Sequence, residues 1–149
     1  MITWAPQQTQ ISVFQLLGQD AALVALLDGE VIGNAAPFGD PKIYDIVPDD
    51  TKYPYVTIDI LPFQDRGNHS KEGWSCLMQI NVWYDGPGKG RKQVQLIQNR
   101  IDELLHNSEL CVEGWNNLGL RRTLVDIVTE DDNQTLHGIQ RFNLLLGEA

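Results

Sequence analysis

The sequence predicts an α+β fold in which two main helices pack on one face of an antiparallel four-stranded sheet that carries one long hairpin loop. Two segments repeat apolar residues at helical spacing, and four others have the composition and alternation of strands. The segments follow the order α-β-β-α-β-β, so strands that are neighbours in the chain can pair in antiparallel fashion. This order favours a layer of helices over one sheet, and a length of 149 residues fits one domain.

The first helix is predicted from Ile11 to Leu27, where apolar residues recur on one face. These residues are Phe14, Leu17, Ala21 and Val24. Gly18 favours a division into two short helices, in which case Asp20 would be the N-cap of the second. Residues 1–10 contain a proline and a glutamine-rich run without a period, and we expect them to form an N-terminal arm. Residues 11–149 would then form a single domain.

Two strands and a long hairpin are predicted for the first half of the sheet. Residues 28–41 contain three glycines and two prolines and are interpreted as a loop, which leads into a short extended piece from Lys42 to Ile46. Strands are predicted from Tyr53 to Leu61 and from Cys76 to Tyr84, because alternate residues in each are apolar. The mostly polar residues 62–74 are predicted to form the tip of the hairpin.

The second half of the chain supplies a helix and two more strands. Residues 85–90 are a glycine-rich connection, and an amphipathic helix is predicted from Arg91 to His106. A short strand from Leu110 to Val112 is one option. Strands are predicted from Leu120 to Val128 and from His137 to Leu146, with an acidic hairpin turn between them.

The composition narrows the class of partner. The formal net charge is -9, so the chain is repelled by nucleic acid phosphates and stable DNA binding is not expected. The first ten residues lack the basic and apolar regions of a signal peptide, and no apolar stretch of about 18 residues could cross a bilayer, so no membrane partner is expected. Cys76 and Cys111 match no zinc or redox motif, which fits synthesis in a reducing cytoplasm.

No motif for catalysis, metal binding or cofactor binding is found in the sequence. His69, His106 and His137 are scattered, and none has another His or Cys at ligand spacing. The glycine-rich residues 86–90 lack the full phosphate-loop pattern, and the acidic residues 130–132 lack the order of a calcium loop. We therefore predict a protein that is not an enzyme and that needs no cofactor.

Several short motifs occur in an order that resembles the tail completion, or tail terminator, proteins of long-tailed phages. The motifs are K-I-Y-D-I-V-P at 42–48, P-Y-V-T-I at 54–58, Q-I-N-V-W at 79–83 and H-G-I-Q-R-F at 137–142. The resemblance covers residues 11–146. Two departures are a longer loop at 28–41 and the extra residues before Ile11.

The resemblance implies a structural virion protein that forms a homo-oligomeric, hexameric ring at the head-proximal end of the tail. Such a ring would cap the tail tube protein and join it to the head–tail connector, and DNA would pass through the lumen without specific binding. The chain would be made in the host cytoplasm and reside in the virion. The family supplies no catalytic residues to carry over.

The predicted hairpin is the arm that we expect to contact a neighbouring subunit. The candidate interface residues are Gln64, Asp65, Arg66, Asn68, His69, Lys71 and Glu72. Three alternatives stay open. One is a head-completion or stopper ring protein of the same junction, which differs in the neighbour that it binds. Another is a small ligand-binding or enzymatic α+β domain, with a phosphate at residues 86–90. The third is a small host or prophage regulator that binds protein partners.

Overall fold

The structure of the chain, a computed structural model, describes residues 3–32, 39–86 and 90–149. Its elements are α1 (Ala5–Gly18), α2 (Ala21–Leu26), β1 (Ile43–Tyr44), β2 (Tyr55–Asp65), β3 (Gly73–Asp85), α3 (Lys92–Leu105), β4 (Trp115–Thr129) and β5 (Thr135–Glu148). The predicted loop at 28–41 and connection at 85–90 lie partly outside the described residues. Within the described ranges, no helix combines the length and apolarity that crossing a bilayer requires. The α+β class is confirmed.

The strands form one sheet of five, in the order β1-β2-β3-β5-β4. The last four in this order are antiparallel neighbours, whereas β1 pairs in parallel with Val56 and Thr57 of β2. The predicted total of four antiparallel strands is therefore wrong, because the extended piece at 42–46 adds a fifth, parallel strand. Two residues are too few to show a strand period. Their pairing depends on a tertiary hydrogen bond from the Val56 N–H to the Lys42 carbonyl, at 2.9 Å.

The β2–β3 hairpin has longer strands than predicted. The turn spans only residues 66–72, rather than 62–74. Proline lacks the N–H group that a ladder uses, so a strand that continues past Pro62 needs an irregularity in its pairing. In the structure, a bulge between Ile60 and Phe63 carries the strand past this proline.

β4 also begins earlier than predicted, at Trp115 instead of Leu120. An irregularity in the pairing between Asn117 and Gly119 divides its first part from the regular ladder. The optional strand from Leu110 to Val112 is wrong. The Leu110 carbonyl accepts a hydrogen bond from the Asn117 side-chain amide, at 3.1 Å, and so takes part in a side-chain contact outside the sheet.

Helix α1 begins at Ala5, six residues before the predicted start at Ile11. Pro6 suits the first turn of a helix, where its missing N–H is not needed, and Ala5 is fully buried. Residues 5–10 are therefore part of the helix and do not form a loose arm. The treatment of residues 11–149 as one domain stays a prediction.

The predicted division after Gly18 is confirmed, with Asp20 as the N-cap of α2. The Asp20 Oδ2 accepts a hydrogen bond from the Leu23 N–H, at 2.8 Å. The same carboxylate forms an ion pair with Arg100 of α3, with Oδ1 2.6 Å from Nη2. The hydrogen bond from Arg100 is the main reason why the pKa of Asp20 is lowered. Asp20 thus both starts α2 and ties it to α3.

Buried side chains from all three helices and from one face of the sheet form a single core. The β3 members of this core are Cys76, Met78, Ile80 and Val82. Helix α3 lies so close to β5 that a Cβ atom on Gly138 would be 2.7 Å from Val94 Cγ1 and 2.8 Å from Gln98 Nε2. Because strand side chains alternate, the residues of β3 between the core positions point to the opposite face.

Candidate assembly surfaces

All of the predicted interface residues lie in the β2–β3 hairpin and are exposed. Gln64 and Asp65 end β2, whereas Arg66, Asn68, His69, Lys71 and Glu72 lie in the turn. The Asn68 Oδ1 accepts hydrogen bonds from the N–H groups of Ser70 (2.9 Å) and Lys71 (3.1 Å). The Asn68 N–H donates to the Lys71 carbonyl at 2.8 Å. The hairpin tip, residues 66–71, is therefore a shaped turn within one subunit.

The hairpin tip contains two cations, which two acidic residues flank in the sequence. Residues 66–71 contain Arg66 and Lys71 and no acidic residue. None of the ion pairs among the described residues involves either of these cations. Arg66 Nη2 donates a hydrogen bond to the uncharged side chain of Gln64, whose Oε1 lies 2.9 Å away. Asp65 and Glu72 are exposed on either side of these cations, so the end of the hairpin has no net formal charge.

The face of the sheet opposite the core carries a chain of side-chain hydrogen bonds. Arg141 Nε donates to Gln79 Oε1 (2.9 Å), Gln79 Nε2 donates to Asn81 Oδ1 (2.8 Å), and Asn81 Nδ2 donates to Asp59 Oδ2 (2.8 Å). A guanidinium can only donate and a carboxylate can only accept. The two ends therefore fix the orientation of both amides between them.

His137 joins this network in a way that the sequence did not reveal. Its ring stacks on Trp83, with centroids 3.9 Å apart and planes 13° apart. Nδ1 lies 3.0 Å from Glu130 Oε1, and Nε2 lies 2.7 Å from Asn81 Oδ1. Each ring nitrogen thus faces an acceptor. The contact depends on the β3–β5 register, which pairs Trp83 directly with His137, and no local motif encodes that register.

Four carboxylates from three separate segments surround an acidic groove of about 540 Å³ on this face. They are Asp45, Asp59, Glu130 and Asp132. Tyr53 and Tyr55 stack at 5.2 Å beside them, and Trp83 completes the aromatic part of the lining. We call this the acidic groove. The groove lies over the half of β3 that is far from the hairpin tip. Its central β3 residue, Asn81, is eight residues beyond Gly73, which is a distance of about 25 Å at the usual rise of a strand.

Two groups in the groove have defined charge states. The Thr135 hydroxyl donates to Asp132 Oδ2 at 2.6 Å, and the N–H groups of Thr135 and Gln134 donate to Oδ1. These hydrogen bonds, led by the hydroxyl, lower the pKa of Asp132, which keeps this carboxylate ionised. Burial raises the pKa of Tyr55, so its phenol stays neutral. The groove thus combines fixed negative charge with neutral donors.

The described residues offer contact surfaces on the hairpin and on the open face of the sheet. Across the described parts of the chain, no three His, Cys, Asp or Glu side chains are grouped so as to hold a metal ion. The histidines have three different settings: His69 lies in the tip, His137 in the network, and His106 accepts the Arg122 N–H at 3.0 Å. Cys76 is buried, and this burial raises the pKa of its thiol to about 12.

Comparison with known proteins connects this fold to phage tails. A family model described as tail completion protein gp17 matches residues 11–147. Tail completion protein gp17 of Bacillus phage SPP1 is 32% identical over 93 residues, which are 60% of this chain and 65% of the SPP1 protein. The match thus spans just under two thirds of that relative.

A solved structure shares the fold at low sequence identity. It is described as the virion of a native gene transfer agent particle, and it aligns with a TM-score of 0.74 at 20% identity over 93% of both chains. The family model covers the same motifs from which the resemblance was drawn. That resemblance is confirmed, and the chain belongs to the phage tail completion protein family of the gp17 type.

Proposed function

We propose that the chain is a non-enzymatic structural subunit of the virion, which completes the tail by forming a ring at its head-proximal end. The observation that carries this proposal is the match of residues 11–147 to the tail completion family. The described residues support a role in contact, because their polar groups form an ordered surface network instead of converging on a reactive atom.

A ring requires each subunit to present two different surfaces, one for each neighbour. The hairpin tip and the acidic groove offer such a pair, because they lie at different ends of the sheet. We infer that Gln64, Asp65, Arg66, Asn68, His69, Lys71 and Glu72 lie at a subunit interface. A hexamer is the ring size that we propose.

The neighbours along the tail axis would be the tail tube protein on one side and the head–tail connector on the other. DNA would pass through the lumen without specific binding. A net charge of -9 per subunit supports this, because an acidic ring repels phosphates and does not retain the DNA.

Electron microscopy and analytical ultracentrifugation of the purified protein test this function, both alone and after mixing with tail tubes. We expect closed rings with the mass of a hexamer and one capped end on each tube. Particles that stay single at every concentration and leave tube ends bare would contradict the proposal. Rings that bind connectors but not tubes would favour a stopper protein of the same junction.

The hairpin residues have a separate test. Replacing residues 66–73 with a two-residue Asn-Gly turn shortens the arm, and such a turn readily joins Asp65 to its partner Trp74 in the native register. We expect a folded monomer that forms no ring, because the core residues of β2 and β3 are unchanged. Rings of normal mass from this variant would remove the hairpin from the interface.

A further inference from the structure

We propose that a polar pocket on the helix side of the sheet binds a primary carboxamide, the group that ends Asn and Gln side chains. The pocket has a volume of about 280 Å³ and shares no lining residue with the acidic groove. Its lining includes Gln98 and Asp102 of α3, Arg122 and Val125 of β4, and Gln140 of β5. The inference goes beyond the proposed function and does not require a ring.

An irregularity in β4 shapes one wall of this pocket. Arg122 pairs with Phe142, a core residue of β5. Val125 pairs with Gln140, which lies on the same face of β5 as Phe142. Residues three apart in a regular strand point to opposite faces, but the pairing shifts between Arg122 and Leu124. This bulge therefore turns both a cation and an apolar side chain toward α3.

Gln140 supplies a buried acceptor to the pocket. This side chain is fully buried, and its Nε2 donates to the Gln98 carbonyl at 2.9 Å. Because a carbonyl oxygen can only accept, this hydrogen bond fixes which end of the Gln140 amide is the oxygen. No described residue donates to Gln140 Oε1. A buried acceptor without a donor is unfavourable, so the pocket favours a guest that brings an N–H group.

Asp102 supplies a second acceptor, and Arg122 supplies a donor. Asp102 Oδ2 is 2.7 Å from Arg122 Nη1, whereas Asp102 Oδ1 is buried and accepts from no group in the described parts of the chain. The guanidinium of Arg122 has five N–H donors, of which this ion pair uses only part. The ion pair also leaves the pocket without net charge. The guest should therefore be neutral and carry both donors and an acceptor.

The primary carboxamide is the side-chain group that meets these requirements. Its NH₂ has two N–H donors, one for each unpaired oxygen, and its own oxygen can accept from Arg122. An ammonium or guanidinium group has no acceptor and would add positive charge beside Arg122, and a carboxylate has no donor. The volume lies below the range of drug-sized ligand pockets, roughly 300–1,000 Å³, so it suits a small group. Water also has donors and acceptors, and it is the competitor that an experiment must separate.

NMR titration of the full chain tests the site with two small amides. Acetamide has the carboxamide group, whereas N,N-dimethylacetamide has the same carbonyl and no N–H donor. We expect acetamide to shift the Gln140 side-chain amide signal and the Arg122 Nε signal in a saturable way. The control amide should bind at least about tenfold more weakly, because it leaves both acceptors unpaired. Equal responses to the two amides, or a response to neither, would overturn the proposal.

Two variants connect the response to the pocket. Asp102→Asn keeps the shape, but its oxygen must face Arg122, so its NH₂ replaces the free acceptor and opposes the donors of the guest. Gln140→Leu removes the other acceptor at similar size. Each should weaken acetamide binding about tenfold, whereas Gln134→Leu in the exposed β4–β5 turn should not. Unchanged binding in folded Asp102→Asn would refute the site, and this variant decides the question if Gln140→Leu does not fold.

Peptides distinguish a free small amide from a protein side chain as the natural source. Tighter binding of the peptide Gly-Gln-Gly than of acetamide, with no binding of Gly-Glu-Gly, would support a side chain of a neighbouring protein. Binding of acetamide without binding of either peptide would support a small amide. A crystal structure in which an ordered water stays on Gln140 Oε1 at high acetamide concentration would overturn the site. That failure would leave the tail role intact, because ring and tube assays test it separately.

Discussion

Gly138 offers the sharpest test of how α3 lies on the sheet. In Gly138→Ala, the added methyl would be 2.7 Å from Val94 Cγ1, whereas carbon atoms in contact lie about 3.5–4.0 Å apart. It would also be 2.8 Å from Gln98 Nε2, which donates to the Asp126 carbonyl at 3.0 Å. The helix, or both side chains, must therefore move by about 1 Å.

The expected cost combines three terms. Overpacking of a buried contact costs about 1–3 kcal/mol, and losing the Gln98 hydrogen bond costs about 1 kcal/mol. Alanine also restricts the unfolded chain, which offsets about 0.4–1 kcal/mol. We expect a net loss of about 1–4 kcal/mol in the free energy of unfolding. For a domain of this size, the melting temperature should then fall by roughly 2–15 °C.

Urea unfolding and calorimetry of Gly138→Ala, Val94→Ala and the double variant provide the measurement. Val94→Ala alone removes a fully buried side chain and should destabilise the fold. In the double variant the methyl of Ala occupies space that Val94 has vacated, so the combined cost should be at least about 0.5 kcal/mol below the sum. Additive costs, or a neutral Gly138→Ala, would refute the close approach of α3 to β5.

Three further predictions follow from side chains described above. Asp20→Asn keeps the N-cap but loses the ion pair with Arg100, so it should cost about 1 kcal/mol at pH 7. Because the pKa of Asp20 is lowered in the folded state, its contribution is present above the unfolded pKa and is lost as the pH falls through the folded value. The stabilities of variant and parent should therefore converge in acid, and a constant gap down to pH 2 would contradict this. His137→Ala should lower the free energy of unfolding by about 1–3 kcal/mol, since it removes the ring that stacks on Trp83 and contacts Asn81 Oδ1, and an unchanged urea midpoint would argue against the network. In thiol titration, Cys111 should react in the native protein and Cys76 only after unfolding, because burial raises the pKa of Cys76 to about 12; two fast thiols in the native state would contradict its burial.

The elements that could be predicted from the sequence are those with a local period or cap. Met78 and Ile80 alternate with polar residues, and this pattern alone indicates which face of β3 is buried. Asp20 likewise marks the start of α2 by its position after Gly18. Both features depend on residues close together in the chain, so they need no knowledge of the tertiary structure.

The parts that could not be predicted depend on distant contacts. The two-residue strand β1 depends on its pairing with Val56 of β2. The start of α1 depends on the burial of Ala5 against the rest of the fold. The acidic groove draws its carboxylates from segments up to 87 positions apart, Asp45 to Asp132. The tip was foreseeable because its polar run is continuous. The acidic groove was not, because strand register has no local signature.

The hydrogen-bonded row from Arg141 to Asp59 separates positive from negative charge across the exposed face of the sheet. The row follows the register Asp59–Gln79–Arg141 across β2, β3 and β5, with the anion at one end and the cation at the other. Any segment that crosses these strands therefore meets a gradient and not a uniform patch. A peptide with its own charges separated along its length would bind in one polarity and be disfavoured in the reverse, even where its shape fits equally well both ways.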